Sequence, residues 1–349
     1  MINKLMRTDI DEYVPYRPSP TLFELIKKYS IDKKNILKLD TGENSYVEST
    51  LYLYPDPLAQ NLREKIAQYI GLSKNYVMCG NGSDELIDLT IRLFTNPGEE
   101  IIICPPTFPM YEIFGRINRC VVKQVNRGTR FEILIDEVIR SITPKTKVIF
   151  IDSPGNPTSV YTTSLLIEKL LKKNVMVVAD EAYFEYCNKS SLKLLKKYPN
   201  LIVLRTMSKW AGLAALRIGY LIARPDVINY FLRIKPPYNV NALAQSIACD
   251  TFDNANLVLK KLNTLTRERV DLFILLKKNK YLIPYPSEGA YIIVKPKRSA
   301  KKLYEFLRLK GIFLKFINQP LLRNVFRINI CKKEEMQIII NFINEFYEK

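Results

Sequence analysis

The sequence contains no histidine among its 349 residues. Histidine is the side chain that most often transfers protons near neutral pH, and it is also a frequent metal ligand. Its absence excludes histidine-based acid–base catalysis and histidine metal sites. Proton transfer in this protein must therefore use a lysine, a tyrosine, a cysteine or a carboxylate.

Cysteine pairs of the kind that bind zinc or form redox motifs are also missing. None of the six cysteines forms a C-x-x-C pair, and they are Cys79, Cys104, Cys120, Cys187, Cys249 and Cys331. Two of them, Cys79 and Cys104, lie in apolar, strand-like runs. The pattern predicts reduced core residues of a cytoplasmic protein, and it argues against a disulfide framework or a zinc site.

The sequence has no apolar run that approaches the roughly 20 residues of a membrane span, and residues 1–10 lack the apolar core of a signal peptide. We therefore expect no membrane insertion.

The formal net charge is +18, but the lysines and arginines are scattered in short pairs such as Lys172-Lys173. This pattern favours a lysine-rich solvated surface over a nucleic-acid interface, and attraction of anionic substrates is a second interpretation.

Length and patterning predict two domains with an α/β fold. A chain of 349 residues is too long for one small core, so a large domain with a smaller one is the default. Apolar runs that predict buried strands alternate with helical patterns, as in a mostly parallel sheet between helices, and these runs are 76–79, 100–104, 147–152, 174–179, 201–204 and 220–223. A long helical region covers 242–276, and residues 281–349 alternate short strands with helices. We predict an N-terminal segment over 1–45, a large domain over 46–241 and a small α+β domain over 242–349.

The stretch 206–219 links two of these strands and carries a lysine between hydroxyl side chains and an arginine. Lys209 can form a Schiff base with an aldehyde. The hydroxyls of Thr206 and Ser208 and the guanidinium of Arg217 can donate hydrogen bonds to a phosphate. A ligand with both an aldehyde and a phosphate is pyridoxal 5′-phosphate. A surface Ser-Lys pair in a loop explains this stretch equally well when it is taken alone.

Other polar segments also follow predicted strands. Gly82-Ser83-Asp84 stands at the start of a helical pattern, where free backbone N–H groups can bind a phosphate, although an ordinary capped helix explains this segment by itself. Ligands of parallel α/β sheets bind at the carboxyl ends of the strands. We therefore expect one site to collect the side chains that follow the strands, which are Phe108, Asn156, Asp180, Tyr183 and Lys209.

These segments together resemble the fold-type I aminotransferases that depend on pyridoxal phosphate. The similar motifs span nearly the whole chain and are Gly-Ser-Asp-Glu at 82–85, Pro-Pro-Thr-Phe at 105–108, Asn-Pro-Thr at 156–158, Asp-Glu-Ala-Tyr at 180–183, Ser-Lys at 208–209 and Arg-Ile-Gly at 217–219. Three further segments, 54–57, 236–241 and 286–288, are similar more narrowly to histidinol-phosphate aminotransferases. The resemblance implies the fold of that family, a large domain with a mostly parallel sheet and a small α+β domain, and pyridoxal 5′-phosphate as cofactor.

The resemblance also implies roles around the cofactor. Lys209 would bind its aldehyde and later move the substrate proton, and Asp180 would pair with the pyridinium nitrogen. Tyr183 and Asn156 would hydrogen-bond the 3′-oxygen of the ring, and Phe108 would stack on the ring face. The residues implied to hold the phosphate are Gly82, Ser83, Asp84, Thr206, Ser208 and Arg217.

Three residues near the start of the chain are implied to complete the site. Tyr54 would reach the cofactor phosphate of a neighbouring subunit, which implies a homodimer with shared active sites. The N-terminal segment 1–45 would cover the substrate with Tyr16 and Asn44 and join the small domain.

The substrate side carries the departures from the family. Arg327 would bind the carboxylate of glutamate and also the substrate phosphate, and Arg323, on the loop before it, or Lys315 would add a contact to the phosphate only. The positions that differ from the usual pattern are Lys315 instead of an arginine, Ala290 instead of an asparagine, Ile330-Cys331 instead of a glycine, and a short loop between Asn44 and Tyr52.

The resemblance implies transfer of an amino group between L-histidinol phosphate, or a similar amino compound, and 2-oxoglutarate in histidine biosynthesis. An aminotransferase for another amino acid and a phosphothreonine-type decarboxylase that uses the same cofactor are the alternatives. A basic nucleic-acid-binding protein is a third, non-enzymatic alternative, and it would need a continuous positive face. We expect small-molecule amino donors and 2-oxo acids as partners, with no nucleic acid, membrane or metal.

Overall fold

The computed structural model describes residues 5–44, 46–47, 49, 51–319 and 321–348. Within these residues a seven-stranded sheet forms the centre of the large domain, and its strands are β1 (Val77–Asn81), β2 (Glu100–Ile103), β3 (Val121–Gln124), β4 (Thr146–Asp152), β5 (Met176–Asp180), β6 (Leu201–Thr206) and β7 (Ile218–Ile222). The strands lie in the order β1-β7-β6-β5-β4-β2-β3. Strand β7 is antiparallel to both of its neighbours, and the other pairs are parallel. The predicted mostly parallel sheet is confirmed.

The helices of the described chain are α1 (Leu22–Tyr29), α2 (Gln60–Ile70), α3 (Gly82–Phe94), α4 (Met110–Ile117), α5 (Ile135–Ser141), α6 (Ser164–Leu171), α7 (Phe184–Cys187), α8 (Pro225–Ile234), α9 (Ala242–Asp253), α10 (Ala255–Lys278), α11 (Ala300–Leu309) and α12 (Lys333–Glu348). Among these residues we find no helix with the length and apolar character that crossing a bilayer requires.

Helices cover both faces of the large sheet because alternate strand residues are buried on opposite sides. One core contains Ile149 and Val177 with residues of α2, α5, α6 and α9. The other contains Val148 and Val178 with residues of α3, α4 and α8. Strands that are buried on both faces are apolar at every position. This is why they are visible in the sequence as continuous apolar runs.

A four-stranded antiparallel sheet forms the small domain in the order β10-β11-β9-β8, and its strands are β8 (Leu282–Pro284), β9 (Tyr291–Pro296), β10 (Lys315–Gln319) and β11 (Leu322–Asn329). Helices α11 and α12 and the end of α10 share a core with it that includes Leu276, Leu303 and Ile340. Between Leu322 and Val325, β11 has one residue more than the opposite stretch of β10, so a β-bulge interrupts their pairing.

The N-terminal segment packs differently from the prediction. The segment 1–45 is predicted to join the small domain, whereas Leu5, Met6 and Ile10 are buried in the core under α3 and α8 of the large domain. The backbone N–H of Arg7 donates to a carbonyl of α3. Apolar side chains at the start of the chain therefore extend the large core.

The change from the large to the small core falls inside α10 and not at the predicted residue 242. Ala244 and Ala248 of α9 are buried in the large core against α2, and the small core begins at Leu272. The helical region predicted over 242–276 is two helices, because Asn254 between them has non-helical dihedral angles, φ −105° and ψ 17°.

The edge strand β3, with half-buried and exposed residues, was not predicted, since it lacks the apolar run of a buried strand.

Candidate active site

A cavity of about 200 Å³ opens at the carboxyl ends of β4, β5 and β6. The residues that line it are Ser83, Asp84, Phe108, Tyr111, Asp152, Pro154, Asn156, Asp180, Ala182, Tyr183, Thr206, Ser208, Lys209, Ala214 and Arg217. All of the residues predicted to bind the cofactor are in this group except Gly82 and Tyr54. The structure thus brings together side chains that are far apart in the sequence. Asp84 and Arg217, for example, are 133 residues apart.

One end of the cavity combines a helix N-terminus, an arginine and two hydroxyls. Helix α3 begins at Gly82, and a Cβ atom added there would lie 2.6 Å from the Arg217 guanidinium. Nη2 of Arg217 donates to Oδ2 of Asp84 at 3.0 Å. The hydroxyl of Thr206 lies 3.1 Å from that of Ser208. Free N–H groups, a guanidinium and hydroxyls are the donors that bind a phosphate group.

The cavity also contains the buried carboxylate of Asp180. Its Oδ2 accepts a hydrogen bond of 2.6 Å from the hydroxyl of Tyr111, and its Oδ1 accepts one of 3.1 Å from the backbone N–H of Ala182. Burial raises the pKa of Asp180 to about 6, Asp152 adds to the rise, and the Tyr111 hydrogen bond opposes it. Asp180 is therefore ionised at neutral pH and can accept a hydrogen bond from a protonated ring nitrogen.

Lys209 provides the amine of the site. Burial lowers its pKa, and the positive charges of Arg327 and Arg217 lower it further, whereas Asp84 and Asp180 oppose the shift. Its Nζ lies 5.8 Å from the centre of the Tyr183 ring. A lowered pKa increases the neutral fraction of the amine, which is the form that attacks an aldehyde or accepts a proton.

Tyr183 and Asn156 line the same cavity as the amine. Burial raises the pKa of Tyr183 to about 12, so its hydroxyl remains a hydrogen-bond donor at neutral pH. The backbone N–H of Asn156 donates to Oδ2 of Asp152 at 2.7 Å. Its side-chain oxygen accepts a hydrogen bond of 3.1 Å from Nη1 of Arg327. Arg327 of the small domain is thereby connected to the cavity in the large domain.

Arg327 has an unused donor. Its guanidinium lies over the ring of Tyr291, 4.8 Å from the centroid, and its Nε is buried without a hydrogen-bond partner among the described residues. An unpartnered buried donor costs free energy unless a ligand accepts from it. Arg327 is therefore suited to bind an anionic substrate group.

The other two predicted cations are not in the cavity. Lys315 lies directly opposite Arg327 in the pairing of β10 with β11, and both line a separate groove of about 640 Å³ in the small domain. Arg323 is predicted on a loop, but it is an exposed residue of β11, on the far side of the bulge from Arg327. Arg323 was predicted on a loop because β11 begins at Leu322, three residues before the strand-like run that starts at Val325.

Tyr16, Asn44 and Tyr54 lie outside the cavity of their own chain. Tyr54 stacks on Tyr238 with 4.5 Å between ring centroids, and it is 56% exposed. Tyr16 is exposed, and the side-chain oxygen of Asn44 accepts a hydrogen bond from the backbone N–H of Tyr46 at 3.1 Å. The short loop between Asn44 and Tyr52 lies in part outside the described residues.

Two polar residues that line the cavity were not predicted as site residues. Tyr111 follows Phe108 by three residues at the start of α4, and Asp152 is the last residue of β4. The rule that polar residues at the ends of parallel strands share a site could have identified Asp152. The contact of Tyr111 with Asp180 depends on helix packing and has no local signal.

The donors of the cavity fit pyridoxal phosphate. Donors suited to a phosphate, a buried carboxylate, an amine with a lowered pKa and the ring of Phe108 match its phosphate, its ring nitrogen, its aldehyde and its ring face. Among the described residues there is no group of acidic or cysteine side chains that could hold a metal ion.

Comparisons with known proteins identify the family of this chain. The sequence model of the family "Aminotransferase class I and II" matches residues 34–343. The histidinol-phosphate aminotransferase of Dehalococcoides mccartyi strain CBDB1 is 37% identical over 359 residues, with 99% of both chains covered. The chloroplastic histidinol-phosphate aminotransferase 1 of Arabidopsis thaliana is 36% identical, with 99% of this chain and 87% of the relative covered. The solved structure of histidinol-phosphate aminotransferase from Sinorhizobium meliloti in complex with pyridoxal-5′-phosphate has a TM-score of 0.76 at 19% identity, with 97% of this chain and 98% of that chain covered.

Proposed function

This chain belongs to the class I and II aminotransferase family, and we propose that it transfers an amino group between L-histidinol phosphate and 2-oxoglutarate in histidine biosynthesis. The observation that carries the proposal is the single cavity that holds Lys209, Asp180 and the phosphate-binding end, with Arg327 at its edge. The two relatives that share about 36% identity over the whole chain carry that activity in their names.

The residues of this chain divide the work at the cofactor. Pyridoxal phosphate, when bound, supplies an aldehyde that takes up the amino group and a ring that withdraws electrons from the substrate Cα–H bond. Lys209 Nζ accepts the proton that leaves the substrate Cα atom, and burial and two arginines favour this role because they lower the pKa of the amine. Asp180 keeps the ring nitrogen protonated through its buried negative charge. Tyr183 and Asn156 orient the ring through its 3′-oxygen.

The remaining donors fix the position of the reacting atoms. Arg217, Thr206 and Ser208, with the N-terminus of α3, would hold the cofactor phosphate. Arg327 would bind the carboxylate of glutamate in one half-reaction and the phosphate of histidinol phosphate in the other. Lys315 on β10 is paired directly with Arg327 on the neighbouring strand β11. It would supply a second cation to the phosphate.

We also propose a homodimer in the cytoplasm. Tyr54 is outside its own cavity, so it can complete the site of a second subunit. Large apolar side chains of the N-terminal region are exposed in the single chain, and they include Val14, Leu37, Leu39 and Tyr46 with exposed fractions of 89%, 82%, 74% and 97%. Exposed apolar surface of this extent is typical of an interface between proteins.

One spectroscopic titration tests the activity. Purified protein loaded with pyridoxal phosphate is titrated with glutamate, and the cofactor absorption band is followed. We expect conversion to the pyridoxamine form with release of 2-oxoglutarate, and the same conversion with histidinol phosphate. Histidinol without phosphate should react less efficiently.

The same experiment separates the alternatives. Release of carbon dioxide from phosphothreonine without conversion of the cofactor would identify a decarboxylase. Conversion by another amino acid but not by histidinol phosphate would keep the aminotransferase and reject the proposed substrate. Reduction with borohydride should attach the cofactor to the peptide that carries Lys209, and label on another lysine would contradict the assigned site.

A further inference from the structure

A buried ion pair stands beside the cavity and has no role in the function described so far. The side chains of Arg127 and Asp152 are 0% and 4% exposed, and Nη2 of Arg127 donates to Oδ1 of Asp152. Asp152 lines the cavity. It is also aligned with Asp180 on the neighbouring strand. Two carboxylates thus stand side by side at the carboxyl ends of β4 and β5.

The guanidinium of Arg127 is fixed by the backbone around it. Its Nε donates to the carbonyl of Cys104 and its Nη1 to the carbonyl of Phe131, both at 3.1 Å. Gly155 allows this close approach, since a Cβ atom there would lie 3.0 Å from Nη2 of Arg127. Arg127 is therefore held where it can compensate one of the two carboxylates.

The second oxygen of Asp152 holds the loop that follows β4. Oδ2 accepts the backbone N–H of Asn156 at 2.7 Å, and the side chain of Asn156 accepts from Arg327 at 3.1 Å. A continuous series of contacts thus leads from Arg127 through Asp152 to Asn156, which lines the cavity.

We propose that Arg127 and Asp152 are positioning residues of the cofactor site, in which Arg127 compensates the charge of Asp152 so that Asp180 remains the ionised carboxylate that faces the cofactor ring. The inference rests on the proposed function, because it concerns the binding of pyridoxal phosphate. Two neighbouring carboxylates disfavour each other's ionisation, and a cation bound to one of them reduces this effect.

Other charged and titratable groups face Asp180 from the surrounding elements. They are Tyr111 on α4, Asp84 on α3, Tyr183 after β5 and Lys209 after β6. They stay unchanged in the variants proposed below. A change in the pH dependence of cofactor binding between variants therefore reports the effect of the ion pair.

The test measures the affinity of the cofactor-free protein for pyridoxal phosphate as a function of pH. For the wild type we expect the affinity to fall as the pH decreases through the pKa of Asp180, about 6. Arg127→Met leaves Asp152 uncompensated and should move this midpoint up by about one pH unit or more. Asp152→Asn leaves the positive charge of Arg127 and should move the midpoint down. The double variant should return close to the wild-type midpoint.

Two controls separate charge from general loosening of the site. Arg127→Lys keeps the charge but loses the forked hydrogen bonds, so it should bind with the wild-type midpoint even if its thermal stability is lower. The cofactor phosphate titrates in the same way with every variant, so only differences between variants are compared. Circular dichroism and urea unfolding report whether each variant is folded.

If a single variant does not fold, the double variant and Arg127→Lys decide the question. Shifts of the two single variants in the same direction, the absence of any shift, or a displaced midpoint in the double variant would overturn the proposal. An unfolded double variant would indicate a purely structural role and would overturn it too. A wild-type protein that binds no pyridoxal phosphate at any pH would contradict the proposed function instead.

Discussion

Replacement of Tyr111 by phenylalanine removes one hydroxyl next to the central carboxylate. The ring of Tyr111 is fully buried, stacked on Phe150 at 4.7 Å, so Tyr111→Phe should keep the packing. What is lost is the hydrogen bond of 2.6 Å to Oδ2 of Asp180. A hydrogen bond to a charged group contributes about 1.5–3 kcal/mol. At about 1.4 kcal/mol per pKa unit, its loss corresponds to a rise of about one to two units in the pKa of Asp180.

The direction of the effect on activity follows from the sign of this shift. Asp180 must be ionised to support the protonated ring, and its pKa is already raised to about 6 in the folded protein. A further rise moves the acid limb of kcat/KM to higher pH. At pH 7 half or more of Asp180 would then be protonated, so kcat/KM should fall by about twofold to tenfold there and recover towards pH 9.

The assay is the half-reaction with glutamate, followed by the cofactor absorption between pH 5 and pH 9. Tyr347→Phe is a matched control, because it removes a buried hydroxyl that accepts a hydrogen bond from a backbone N–H in the small domain, remote from Asp180. The control should leave the acid limb unchanged. A folded Tyr111→Phe variant with the wild-type pH profile would refute the reasoning.

Three further predictions concern the substrate, the dimer and pH stability. Arg327→Ala should impair both half-reactions, whereas Lys315→Ala should lower kcat/KM only for histidinol phosphate, by about tenfold to a hundredfold; equal losses on both substrates would contradict this division. Mixing inactive Tyr54→Ala and Lys209→Ala chains should restore one competent site per heterodimer, and the shared site is rejected if subunits exchange without any return of activity. Burial raises the pKa of Glu185 from 4.5 to about 8, so the protein should lose stability as the pH rises between these values. Glu185→Gln should remove most of that loss and leave the smaller one that the raised pKa of Asp180 causes. Urea unfolding of both proteins at pH 5 and pH 8 measures the difference. A wild type that is more stable at pH 8 than at pH 5 would show that the sign is wrong.

The sequence determined the architecture of the large domain to a large extent. Parallel strands buried on both faces are apolar throughout, so each strand could be recognised from its own sequence without knowledge of the strand that pairs with it. The polar residues that follow them, such as Asp180 and Lys209, had to meet because the carboxyl ends of parallel strands lie at one edge of the sheet. That rule explains why ten predicted cofactor residues line one cavity, while their roles stay predictions.

Only the tertiary structure decided the contacts that lack a local pattern. The hydrogen bond from Tyr111 to Asp180 and the compensation of Asp152 by Arg127 join residues 69 and 25 positions apart. The side on which Arg323 faces depends on a bulge within β11. The placement of α9 in the large core depends on its packing against α2. Such features are set by how elements pack against each other, whereas periodicity and local motifs specify only the elements themselves.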